Sequence, residues 1–392
     1  MNILRERQKT FGVIFGLVKN TFPFHSQKEI KKWRDCYLAY RKSLSSLPEN
    51  NRDFFLHIEH LLASLKNSHT RLGSYPGKRF FRPRDYAASL INNTFILTHK
   101  NKIEGEIARI DGQKPERVLA QHMRRISSST KRYAIQKALG FLLFHHEETP
   151  IRIMVKKPNG KINEILLPMR QIKHKSQKNT VMGKIMRKNI GYIKITSWMD
   201  AGNLSEKIDK CVNNITKRSI IALIIDVRGN GGGDSRIACR FASRFFNKKV
   251  LFGTARQRMA KKNLFKTRNI YVMPRGPRIV APVIILTDEA CLSSNEIFIA
   301  GMRDNKRAVL IGRTTGGSSG NPKKYIIPFA EKRCELFVSR WDYFRKSGKK
   351  LEGAGIRPDI SVKPSLGSLS RHHDEVLEAA IKYAKNLKTI RA

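Results

Sequence analysis

The spacing of apolar positions changes along this chain, and each change marks a different kind of element. Ile30, Trp33, Tyr37, Tyr40, Leu44 and Leu47 recur at intervals of three and four, which predicts an amphipathic helix. Leu47-Pro48-Glu49-Asn50-Asn51 breaks it, and Phe54, Ile58, Leu61 and Leu65 predict a second. The apolar run at 11–18 predicts a helix ahead of both. Short β-type runs follow at 94–98 and 106–110, the second stopped by Asp111-Gly112. After a mostly helical stretch, runs at 151–155 and 162–167 pair across Pro158-Asn159-Gly160. From residue 189 strand-like and helix-like patterns alternate. Strands are expected at 190–195, 220–226, 283–286 and 309–311, and helices at 204–215, 235–246 and from Ser293. Such alternation predicts an α/β core with mainly parallel strands. A terminal hairpin (325–327 with 336–339), a last strand at 360–362 and a closing helix at 374–387 complete the expected order.

The strand at 283–286 stops at Thr287-Asp288-Glu289, and helical spacing resumes with Ile297, Phe298 and Met302. Ser293 and Ser294 therefore fall at a strand-to-helix joint, where a helix N-terminus leaves backbone N–H groups free. A serine there is ordinarily an N-cap. Its other use is as a nucleophile whose oxyanion those N–H groups receive.

Composition changes the picture in one respect. There are 77 basic and 31 acidic residues, a formal net charge of +46, which favours anionic partners and says nothing about fold. Residues 169–188 and 256–278 hold no acidic residue. Neither stretch interleaves its cations with regularly spaced aromatics, so no specific nucleic-acid module is expected, and the charge reads as a solvated basic surface. Non-specific contact with anionic surfaces is compatible with it. The five cysteines are scattered and form no CxxC pair, which predicts reduced thiols and no zinc site. Cys291 reads as a packing residue. No run reaches the roughly 20 apolar residues of a membrane span. Arg5, Arg7 and Lys9 precede the apolar run at 11–18, but Lys19 follows and no small-residue cleavage site appears. A cytoplasmic location is the expectation.

Three further stretches bear on Ser293. Val227-Arg228-Gly229-Asn230-Gly231-Gly232-Gly233 follows the strand at 220–226. Leu351-Glu352-Gly353-Ala354-Gly355-Ile356-Arg357-Pro358-Asp359 lies downstream, and the second helix ends in Leu65-Lys66-Asn67-Ser68-His69-Thr70-Arg71-Leu72. Taken in order with the segment 281–320, these pieces resemble the tail-specific (C-terminal-processing) serine peptidase family, particularly its tricorn-core-like branch. The resemblance runs from about residue 11 to 362.

It implies an α/β fold in which a crotonase-like ββα-spiral catalytic domain (169–392) follows an N-terminal helical region (1–84) carrying Ser68-His69 and an inserted PDZ-like α+β module (85–168). Gly105-Glu106-Ile107-Ala108-Arg109-Ile110-Asp111-Gly112-Gln113 is similar to that module's core. The resemblance assigns Ser293 as nucleophile, three residues before Glu296, and the Ser294 N–H as one oxyanion donor. The glycine run supplies the other: Gly232, with Gly231 and Gly233 as alternatives. One branch of the family takes its base from a lysine at a position that falls here on Ser318, with Lys323 and Lys324 too late. The other takes a histidine, so His69 is the expected base, with Glu352 as its partner through Ser68. His69 is then expected within hydrogen-bonding reach of Ser293 Oγ, with activity rising through the ordinary histidine range near pH 6.5. No metal and no cofactor are implied. The expected partner is a peptide or unfolded polypeptide, and a homo-oligomer is compatible with the sequence. The rival reading is an inactive relative that binds a ligand or peptide.

Overall fold

In the computed structural model, which describes residues 3–172, 180–200, 202–259, 264–371 and 373–389, the alternating half of the chain builds one six-stranded sheet. Its order from one edge is Ile360–Ser361, Ala308–Gly312, Val283–Thr287, Ala222–Asp226, Ile190–Ile195 and Val181–Met186. Every pairing is parallel except the last, where Val181–Met186 runs antiparallel to Ile190–Ile195. Parallel strands carry helices on both faces, so their sequences are apolar almost without interruption. Ile193, Leu223, Ile225 and Ile285 face a core closed by Leu204–Thr216, Ser235–Ala242 and Ser294–Asp304. Tyr192, Ile224, Ile284 and Ile311 face Val376, Ala380 and Ala384 of the closing helix Glu375–Thr389.

Arg228 ties that closing helix to the sheet. It donates Nε and Nη2 to fully buried Asp226 (2.9 and 2.7 Å) and Nη1 and Nη2 to Asp374 (2.8 and 2.7 Å), while Tyr192 Oη donates to Asp226 (2.8 Å). Arg228→Ala would leave Asp226 a buried charge without its counter-ion. A loss of about 3–5 kcal/mol is expected, read as a lower midpoint in denaturant unfolding.

The N-terminal helices Ile3–Thr21, Gln27–Lys42 and Asn51–Ala63 form a separate apolar cluster (Phe11, Trp33, Phe54, Ile58). The hairpin expected at 325–339 is present as Lys323–Phe329 with Lys332–Val338, but it is not a terminal flap. It packs Ile327, Phe329 and Leu336 into the helical cluster and takes Arg71–Leu72 as a third strand. Between the helices and the large sheet lies a five-stranded antiparallel meander from Tyr86–Ile91 to Ile162–Leu167, with helices Pro115–Arg125 and Lys131–Phe141 over its own core. The short pair Phe81–Pro83 and Met169–Gln171 closes its neck.

One element escaped sequence reading. Val250–Met259 and Leu264–Val272 form a long antiparallel ribbon that also pairs with Trp341–Arg345. Much of the basic stretch 256–278 belongs to it. Lys261 and Lys262, like Lys173, Lys175 and Lys178 of the other basic stretch, lie outside the described residues. No described helix is long and apolar enough to cross a membrane.

Candidate active site

Ser293 stands between Val283–Thr287 and the helix Ser294–Asp304, at the predicted joint, with φ 59° and ψ −128°. A non-glycine residue held in that region costs on the order of 1–3 kcal/mol, and such strain concentrates at functional sites. Its N–H donates to Ser318 O (2.8 Å), and its carbonyl accepts from Glu296 and Ile297. The side chain makes no capping bond, so the commonplace use of a serine at this position is absent. Among the described residues Ser294 N–H finds no acceptor, and Ser294 Oγ is buried without a partner.

The glycine loop comes up against this joint. Gly232, at φ +100°, lies so near that a Cβ there would stand 2.7 Å from Ser293 Cβ and 2.9 Å from Leu292 O. Its own N–H is engaged, donating to Asn230 Oδ1 at 2.9 Å. The N–H groups of Gly231 and Gly233, the neighbours held open as alternatives, have no acceptor among the described residues. Asn295 fixes the loop from below by donating Nδ2 to Val227 O and Asn230 O, both at 3.1 Å.

Segment 315–320 bridges Ser293 and His69. Fully buried Glu296 accepts from Thr315 Oγ1, Gly317 N–H (2.9 Å) and Ser318 N–H (2.7 Å), and burial raises its pKa to about 7. That is the structural use of the acid three residues after Ser293. Ser318, at the position that the lysine branch would fill, shares a 2.9 Å hydrogen bond with His69 Nδ1. His69 Nε2 has no partner among the described residues. Beneath the ring, Gly320 leaves room that a Cβ would occupy at 2.8 Å from His69 Cγ. Burial lowers the His69 pKa to about 4, with Arg71 and Lys137 adding repulsion, well below the ordinary histidine range expected from sequence.

Glu352 reaches the same place. It accepts from Asn67 Nδ2 (2.8 Å), from Ser319 N–H (2.6 Å) and, in a short bond, from Ser129 Oγ. Burial outweighs these three donors and pushes its pKa up to about 8. The contact with Ser68 runs differently from the expectation. Ser68 Oγ bonds Ser129 Oγ (3.0 Å) and accepts from Ser129 N–H (3.1 Å), so Glu352 meets Ser68 only across Ser129. Among the described residues no hydrogen bond joins the His69 ring to Ser68, Glu352 or Ser293 Oγ; its tie to Ser293 runs through Ser318.

Ser129 is therefore a site residue that sequence reasoning missed. It comes from the meander module, whose segment 129–132 also donates Thr130 Oγ1 to Gly316 O (2.7 Å) and Arg132 Nε to Thr315 O (2.7 Å). Its only local signal is the Ser127-Ser128-Ser129 run ahead of the Thr130 N-cap. Lys323 and Lys324 lie away on the hairpin, Lys323 over the Tyr325 ring and Lys324 paired with Glu335. Cys291 is buried, donates to Val227 O (3.1 Å) and has its thiol pKa pushed well up, the marks of a packing residue. No group of three His, Cys, Asp or Glu among the described residues is arranged to hold a metal.

A strained serine thus stands at a strand-to-helix joint with free N–H groups beside it and a histidine held on the adjoining segment. Residues 189–362 match the model described as peptidase family S41. Among curated proteins it is 24% identical over 186 residues to the carboxy-terminal processing protease CtpA of Bacillus subtilis (strain 168), covering 47% of this chain and 37% of that protein. It is 27% identical over 187 residues to a carboxyl-terminal-processing protease of Picosynechococcus sp. (47% and 42%). The chain thus spans about two fifths of the length of these relatives. In fold the likeness extends further. Mature CPAF superposes with a TM-score of 0.82 at 12% identity, covering 99% of this chain and 98% of that one. The tricorn protease gives 0.54 at 17% identity (99% and 37%).

Proposed function

We propose that this protein hydrolyses peptide bonds in peptides or unfolded polypeptides, with Ser293 as nucleophile and His69 as general base. The observation that carries the reading is the Ser293 hydroxyl, held at a strained joint, unused as a cap and adjacent to the free Ser294 N–H. Ser318 holds His69 Nδ1 and leaves Nε2 to act. Nε2 takes the Ser293 proton as Oγ attacks the scissile carbonyl, then gives it to the departing amine; water, activated by the same nitrogen, releases the acyl group. The oxyanion is met by Ser294 N–H and by an N–H of the 231–233 loop. Of these, Gly231 and Gly233 are free donors here, and Gly232 is the point of close approach. Glu352, Ser129, Ser68 and Asn67 position the turn that carries His69. The catalytic half is read as a crotonase-like spiral, and the meander module as a PDZ-like unit that supports the site through Ser129, Thr130 and Arg132.

The test is hydrolysis of a quenched-fluorescent peptide across pH. His69 must be neutral to accept a proton, so kcat/KM should rise first through about pH 4. Glu352 is protonated below about pH 8, and its ionisation above that value favours the imidazolium formed in the reaction, giving a second rise. Glu352→Gln should keep the first rise and lose the second, on the order of a hundredfold at high pH. A single rise near pH 6.5, unchanged in the variant, would contradict these roles.

A further inference from the structure

Beside His69 lies a cavity of about 230 Å³ whose charge is one-sided. Arg71, Lys78, Arg125 and Lys137 line it, against the single carboxylate of Glu59. Arg71 is exposed and the other three are partly buried, and cations gathered this closely are ordinarily offset by counter-ions, because like charges repel. Here none of the four has a carboxylate oxygen within 4.0 Å among the described residues. Arg71 lies over the Phe337 ring and donates to Leu72 O (3.3 Å). Lys78 donates to Gly73 O (2.6 Å). Arg125 spends Nη1 and Nη2 on His146 and His122, both 2.8 Å away and both neutral acceptors. Lys137 has only the Tyr133 ring, 5.8 Å off. Glu59 is occupied by Tyr75 Oη (3.2 Å), and burial raises its pKa, which weakens it as an anion. The nearby acid Glu335 is already paired with Lys324.

The cavity's lining is continuous in sequence with the segments that carry the reacting groups. Arg71 stands two residues beyond His69, Lys137 acts on the same imidazole, and the wall at Ser127 continues into Ser129. Phe80 and Phe141 give it apolar sides that suit a methylene stem.

We infer that this cavity is a specificity subsite for the acidic side chain, Asp or Glu, of a substrate residue next to the cleaved bond. The carboxylate supplies the missing counter-ion, and Lys137, which has no hydrogen-bond partner among the described residues, is its main contact. The inference rests on the peptidase reading, and the experiment separates the two.

Matched peptides carrying Glu or Gln at each position flanking the cut are assayed for kcat/KM, each with a free and an amidated C-terminus. The Glu peptide should exceed its Gln twin by at least about tenfold at one position, whichever terminus is present. Lys137→Glu should invert the preference toward a Lys peptide, and Lys78→Met should reduce it without inversion. Equal cleavage of Glu and Gln peptides would overturn the subsite and leave the peptidase reading standing. A preference that follows the free terminus instead would also overturn it. If no peptide is cleaved, the same peptides are titrated calorimetrically into Ser293→Ala. Tighter binding of the Glu peptide, lost in Ser293→Ala/Lys137→Glu, would uphold the subsite while the peptidase reading fails; equal binding would overturn the subsite.

Discussion

His69→Ala is expected to reduce peptide turnover by about 10⁴-fold or more, while Lys323→Ala and Lys324→Ala stay close to wild type. A nucleophile and its base act as one unit, so removing either costs nearly as much as removing both. The lysines have no route to the reaction, since Lys324 is paired with Glu335 and Lys323 lies over Tyr325. At the position where a lysine base would stand, Ser318 shares its hydroxyl bond with His69 Nδ1. Turnover that survived His69→Ala and vanished with Lys323→Ala would move the base to the hairpin.

Gly232→Ala is expected to cost at least about 10²-fold in kcat/KM, although the substitution adds one methyl group. That methyl would stand 2.7 Å from Ser293 Cβ and 2.9 Å from Leu292 O, on a residue whose φ of +100° disfavours any side chain. The nucleophile and the Ser294 N–H must then shift together, and a displacement near 1 Å is enough for a loss of that order. Gly231→Ala keeps its N–H and meets nothing within 4 Å, so it should lose far less. Equal effects of the two substitutions would mean that close approach at Gly232 is irrelevant.

The large sheet was legible because parallel strands buried on both faces must be apolar throughout, as Ile284-Ile285-Leu286 and Leu223-Ile224-Ile225 are. Ser293 was legible for a related reason, since a strand and a helix with short polar punctuation between them leave few places for the joint. The ribbon Val250–Met259 with Leu264–Val272 was not, because it extends into solvent and its cations hide the β alternation. Ser129 and Ser318 were hidden more deeply. Ser318 lies 249 residues from His69 and Ser129 lies 223 from Glu352, and such pairings arise from packing between distant segments with no local periodicity to announce them. The lowered histidine pKa was not legible either, because burial and the Arg71 and Lys137 charges exist only in the folded chain.

The central claim is that Ser293 is a nucleophile activated by its setting. Its direct test is covalent labelling by a fluorophosphonate probe, with the modified peptide located by mass spectrometry. One phosphonyl adduct on Ser293 is expected, absent in Ser293→Ala and greatly slowed in His69→Ala. Labelling that appears on another residue, or that proceeds as fast in His69→Ala as in the wild type, would contradict the account.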